Sequence, residues 1–173
     1  GAAVSQGSSN PVALLEQRDD NSDVNRLIGT IQLDYTLHFF PDLRANLNIG
    51  YDHSKSDGTV FVPDDAAWEF DPVNGGGLST IYSQEKKNEV LDFYLNYVKD
   101  VPSIYSKFDV MAGYSWQHFW RKGDNYSTNL IETVVNDSSD YITESYLVSF
   151  FGRFNYSFKA RYLLTATLRE DGT

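Results

Sequence analysis

From Leu27 to Phe39 every second residue is apolar or glycine (Leu27, Gly29, Ile31, Leu33, Tyr35, Leu37, Phe39). After Ile28 the residues between them are Thr30, Gln32, Asp34, Thr36 and His38. A period of two fits only an extended strand whose two faces meet different surroundings. It is also sustained well past the roughly 5–6 residues of an ordinary strand.

Phe40-Pro41-Asp42-Leu43 supplies a tight turn, with Pro fixing φ and Asp able to bond its downstream backbone. Leu43, Ala45, Leu47, Ile49 and Tyr51 then share one face, opposite Arg44, Asn46, Asn48, Gly50 and Asp52. The same plan recurs around the turns at 100–103 and 159–161. Leu91, Phe93, Leu95 and Tyr97 lead to Phe108, Val110, Ala112, Tyr114 and Trp116, and Val148 through Phe158 leads to Tyr162, Leu164, Ala166 and Leu168. The pattern predicts strands near 24–39, 43–53, 88–98, 107–119, 145–158 and 161–169. Clusters such as Pro63-Asp64-Asp65, Gly75-Gly76-Gly77 and Asn136-Asp137-Ser138-Ser139-Asp140 predict long loops over 54–84 and 120–143.

The expected fold is therefore all-β: an antiparallel meander of about six strands in three hairpins, with short turns at one end and long loops at the other. Transmembrane β-barrels segregate their connections in this way. The apolar faces carry no charge, as a lipid-facing exterior requires, and the opposite faces hold Asp, Arg, Asn, Ser and Thr, as a wet lumen allows. Phe39, Phe40, Tyr97, Tyr105, Tyr156, Phe158 and Tyr162 gather near the short turns, where a barrel places an aromatic girdle. No run of about 18 apolar residues exists to form a spanning helix. The N-terminus lacks the basic start and apolar run of a signal peptide.

Acidic residues outnumber basic ones 24 to 14, which removes the cationic footprint that nucleic acid needs. With no cysteine, thiolate metal sites and cysteine nucleophiles are excluded. Asp19, Asn21 and Asp23 open like a calcium loop, but Val24 stands where the turn needs Gly and Thr30 where a bidentate Glu belongs. His38, His53 and His118 have no zinc spacing, and Ser115 and Ser149 lack the context of a nucleophile elbow. No catalytic residue, metal or cofactor is assigned.

Two segments carry a more specific signal. The first runs from Asn10-Pro11-Val12-Ala13-Leu14-Leu15 through Arg26-Leu27-Ile28-Gly29 to Asn46-Leu47-Asn48-Ile49-Gly50-Tyr51-Asp52. The second is Ser145-Tyr146-Leu147-Val148-Ser149-Phe150-Phe151-Gly152-Arg153-Phe154-Asn155-Tyr156-Ser157-Phe158 with Arg161-Tyr162-Leu163-Leu164-Thr165-Ala166-Thr167-Leu168-Arg169-Glu170-Asp171-Gly172-Thr173. They resemble the SusC/RagA family of TonB-linked outer-membrane transporters of Bacteroidetes. The resemblance implies a barrel of roughly 22 strands around a plug, importing oligosaccharides or peptides with energy from TonB and a SusD-like surface lipoprotein as lid. By this resemblance the chain is an internal barrel fragment without plug, TonB-contacting segment or closing strand.

Within that frame Trp68, Phe70, Tyr82, Trp120 and Tyr126 are substrate-binding candidates in the long loops, because aromatic faces can stack on sugar rings. Asp34, Arg44, Asn46, Asn48, Asp52, Arg153 and Asn155 are expected to face the lumen. The competing expectation is a soluble β-sandwich carbohydrate-binding module with Trp68 and Trp120 in its site, since sandwiches also alternate apolar and polar residues.

Overall fold

The computed structural model describes residues 11–66 and 68–173. A short helix α1 (Pro11–Glu16) precedes six strands: β1 (Asp19–Thr36), β2 (Leu43–Val62), β3 (Leu78–Val101), β4 (Ser106–Thr128), β5 (Val135–Phe158) and β6 (Tyr162–Gly172). They form one open antiparallel sheet in which each strand pairs with the next in sequence. The last hairpin sets Val148 opposite Gly172 and Phe158 opposite Tyr162. The three short turns are closed locally. Leu43 N–H donates to the Phe40 carbonyl at 3.0 Å, Tyr105 N–H to Pro102 at 3.1 Å, and Arg161 N–H to Phe158 at 3.1 Å. Tyr105, Lys159 and Ala160 adopt positive φ of 52°, 52° and 50° to reverse the chain.

The strands run further than the alternation predicts. Much of the stretches expected as loops, 54–84 and 120–143, is β-structure: only 63–77 separates β2 from β3, and 129–134 separates β4 from β5. The reason is that alternation reports a difference between two faces, whereas strand pairing needs only backbone partners. Where both faces meet polar surroundings the sequence loses its period, yet the hydrogen-bond ladder continues. Tyr82, Trp120 and Tyr126 accordingly lie in strands, not loops.

Two compact units emerge. The turn-bearing unit comprises 27–53, 86–120 and 143–173, and the loop-bearing unit 1–26, 54–85 and 121–142. In the turn-bearing unit no hydrophobic side chain is buried among the described residues. Its apolar face lies open, with Leu33, Phe93, Val110, Phe150, Leu164 and Leu168 all exposed, Leu168 at 78%. A β-sandwich would cover that face with a second sheet, and the described strands make only one. The expected alternative of a soluble sandwich is thereby overturned.

The loop-bearing unit holds the small core: Val60, Val62 and Ala66 are buried. Its connections are tied together by Asn129, itself buried. Asn129 Oδ1 accepts from the N–H groups of Thr133 (2.9 Å) and Val134 (3.0 Å), while Nδ2 donates to the carbonyls of Asn74 (2.7 Å) and Gly75 (3.1 Å). Gly75 and Gly77 take φ of 86° and 78°, and a Cβ on Gly77 would come within 2.6 Å of Leu130. Glycine is thus required twice over at position 77, for backbone and for space. Charge also divides unevenly. The loop-bearing unit has fourteen acidic against five basic residues, and the turn-bearing unit ten against nine.

Candidate functional site

In the turn-bearing unit the polar face is a cross-strand network. Asn48 donates to Asp92 (3.2 Å), which also accepts from Ser115 (2.6 Å). Asn88 donates to Asp52 (3.3 Å). Asp109 accepts from Asn96 (2.8 Å) and Asn155 (3.4 Å), and Asn155 in turn accepts from Thr165 (3.0 Å). Asp52, Asp92 and Asp109 therefore each have an amide donor from a neighbouring strand, which lets these acids line the sheet without basic partners. Asn48, Asp52 and Asn155 take part directly. Asn46 is buried, and Asp34, Arg44 and Arg153 are exposed. Asp92 and Asn96 alternate in sequence with Leu91, Phe93, Leu95 and Tyr97, which marks them as polar-face residues but gives them no partner; the missing signal is cross-strand register, which alternation within one strand does not contain. Ile28, Gly50, Val90 and Phe119, with Asp52 and Asn88, help line a shallow depression of about 350 Å³ in this unit.

The opposite face of the turn-bearing unit is banded. At the turns, Phe40 stacks on Tyr97 (5.6 Å between ring centroids), Phe108 lies against Tyr156 (5.1 Å), and Lys159 sits over Tyr105 and Phe158. Further along the strands a second belt forms. His118 stacks on Tyr146 at 4.5 Å, Trp116 lies 6.2 Å from Tyr146, and Lys87 sits 4.6 Å above Trp120. His118 Nδ1 is 2.8 Å from Glu89 and Nε2 is 2.9 Å from Glu144. Charges thus return to this face where the apolar band stops. Phe108 and His118 are ten residues apart on β4, about 33 Å along a strand and roughly 25 Å normal to a membrane at 40° tilt. That matches the apolar height of an outer-membrane barrel.

The five aromatic candidates do not form one cluster. Trp120 belongs to the turn-bearing unit and to the face that carries Trp116 and His118. Trp68 is half-buried and Phe70 exposed in the 63–77 connection, Tyr126 is exposed on β4, and Tyr82 lies on β3 with its hydroxyl 3.3 Å from Asp20. The calcium-like Asp19 and Asn21 bond to each other at 2.8 Å within β1. No grouping of metal-ligating side chains occurs among the described residues.

No protein-family profile matches the chain. It is 34% identical over 171 residues to the TonB-dependent receptor SusC of Bacteroides thetaiotaomicron, covering 95% of this chain and 16% of that protein. It is 30% identical over 110 residues to the TonB-dependent receptor P3 of Formosa agariphila, covering 57% of this chain and 11% of the relative. In fold it is similar to the RagAB peptide transporter, with a TM-score of 0.76 at 14% identity, over 91% of this chain and 18% of the solved one. A RagAB peptide importer in an open-open state superposes with a TM-score of 0.75 at 13% identity, over 98% of this chain and 20% of that one. The chain therefore spans less than a fifth of the length of the curated relatives it matches. By sequence the chain is similar to a stretch of the TonB-dependent receptor SusC, and by fold to a stretch of the RagAB transporter.

Proposed function

We propose that the chain supplies three adjacent hairpins to the wall of an outer-membrane, TonB-dependent importer of oligosaccharides or peptides. The observation that carries this reading is the turn-bearing sheet's two-faced character: an uncovered apolar face edged by two aromatic belts, and a polar face on which Asp52, Asp92 and Asp109 are hydrogen-bonded across strands. The apolar face meets lipid, the polar face meets the interior, and the loop-bearing unit faces outside the cell. The wall performs no chemistry. Its work is to hold an aqueous path open in lipid while the rest of the protein engages TonB and a SusD-like surface lipoprotein.

Uptake tests the reading. Cells expressing the full-length protein that carries this chain should accumulate labelled oligosaccharide or peptide, and deleting TonB should abolish the accumulation. Uptake that persists unchanged without TonB would contradict it.

A further inference from the structure

Two tyrosines in the loop-bearing unit stand over glycines of the neighbouring strand. A Cβ on Gly58 would overlap the ring of Tyr82, and a Cβ on Gly123 would come within 2.6 Å of the Tyr141 ring. Side chains normally project from a sheet at both members of a cross-strand pair. Where one member is glycine, the aromatic partner can lie down across the gap and turn its face outward. Both rings lie on one side of the sheet: Tyr82 and Gln84 are two residues apart on β3, and Gln84 Nε2 donates to the Tyr141 hydroxyl at 2.7 Å. They line a single open pocket of about 240 Å³ together with Ser56, Gln84, Asn125 and Ser139. Asp137 borders it, accepting from Asn125 (2.5 Å) and Ser139 (3.3 Å).

We infer that Tyr82 and Tyr141 form a platform for a neutral glycan on its way into the importer proposed above, an inference that rests on that reading. The C–H groups of a pyranose carry partial positive charge and complement the negative face of an aromatic ring, and the two rings stay open to solvent, Tyr141 exposed and Tyr82 half-buried. The flanking amides and hydroxyls, Gln84, Asn125, Ser56 and Ser139, both donate and accept, as sugar hydroxyls require. No basic side chain lines the pocket, so a carboxylate or sulfate finds no counter-charge there. The unit's surplus of nine acids repels anionic cargo further. The volume falls below the roughly 300–1,000 Å³ of an enclosed ligand pocket, so the platform holds one or two rings of a longer chain.

The test is calorimetric titration of the detergent-purified full-length protein with hexamers of three kinds: neutral gluco-, manno- and xylo-oligosaccharides, hexagalacturonate, and an uncharged hexapeptide. At least one neutral hexasaccharide should bind, with hexagalacturonate at least tenfold weaker, about what one unpaired charge costs. Tyr82→Leu and Tyr141→Leu, which keep apolar cover over the glycines but remove the flat ring, should each weaken neutral glycan binding by about tenfold. Tyr141→Phe should stay within about threefold of wild type, because the ring remains. Gel mobility with and without boiling checks that each variant is folded. Leu variants that bind like wild type, or a protein that binds only hexapeptide or hexagalacturonate, would overturn the platform while leaving TonB-dependent uptake intact. Loss of TonB-dependent uptake in the wild type would remove the importer reading itself.

Discussion

Asn129 shows how a single side chain can order a connection. Its amide answers two backbone N–H groups within 129–134 and two carbonyls at 74 and 75. Asn129→Ala removes these four bonds, each worth about 0.5–1.5 kcal/mol net. Hydrogen exchange at the Thr133 and Val134 amides should accelerate by about thirtyfold or more, consistent with local opening rather than global unfolding. Asp71 plays a similar part within 63–77. Its carboxylate accepts from the Asn74 side chain (2.9 Å) and from the N–H groups of Val73 (2.8 Å) and Asn74 (3.1 Å). These bonds, the Asn74 side chain foremost, hold its pKa below the ordinary 3.8. A depressed carboxyl stabilises above its unfolded pKa, and that stability is lost as pH falls through the folded value. Proteolytic nicking of 63–77 should therefore stay slow down to pH 3.8 and rise below it, and Asp71→Asn should remove that acid-side rise. Neither residue's role was legible in the sequence. Asn129 and Asp71 sit among turn-forming residues in stretches expected as loops, and their partners are set by a fold that places 74 beside 129.

Among elements, the strands of the turn-bearing unit were legible because one face is apolar and the other polar, which imposes a period of two. The same strands beyond residues 53 and 120 were not, because there neither face is apolar enough to mark the period, although pairing continues to Val62 and Thr128. Strands of 20 to 24 residues are about twice what a tilted membrane crossing of roughly 9–11 residues needs. The surplus is where charge and the loop core collect. Lipid exposure of the apolar face makes a sharp contrast between its two sides. Phe150→Arg should cost about 2–4 kcal/mol near the membrane centre, while Asn155→Arg on the opposite face of β5 should cost less than about 1 kcal/mol. Urea titration of the full-length protein folded into vesicles reads both. Of the aromatic candidates, Trp120 was placed by type rather than by face. Its even position on β4 puts it with Trp116 and His118, a distinction visible only once β4 is known to continue past Phe119.

At the scale of the whole molecule, an open sheet with one uncovered apolar face and no hydrophobic core in its turn-bearing unit gains little from folding alone in water. β1 and β6 also present unpaired edges. The isolated 173-residue chain should therefore associate in buffer and disperse in mild detergent, as light scattering after size exclusion would show. The measurement that bears most directly on the account is a nitroxide scan of the full-length protein in lipid vesicles, attaching the label at single cysteines in a segment that has none of its own. Labels at Leu33, Val110, Phe150 and Leu164 should be relaxed chiefly by oxygen, and labels at Asn48, Asp109 and Asn155 chiefly by a water-soluble nickel chelate. Nickel access at the first set matching that at the second would show that the apolar face does not meet lipid, and would contradict the account.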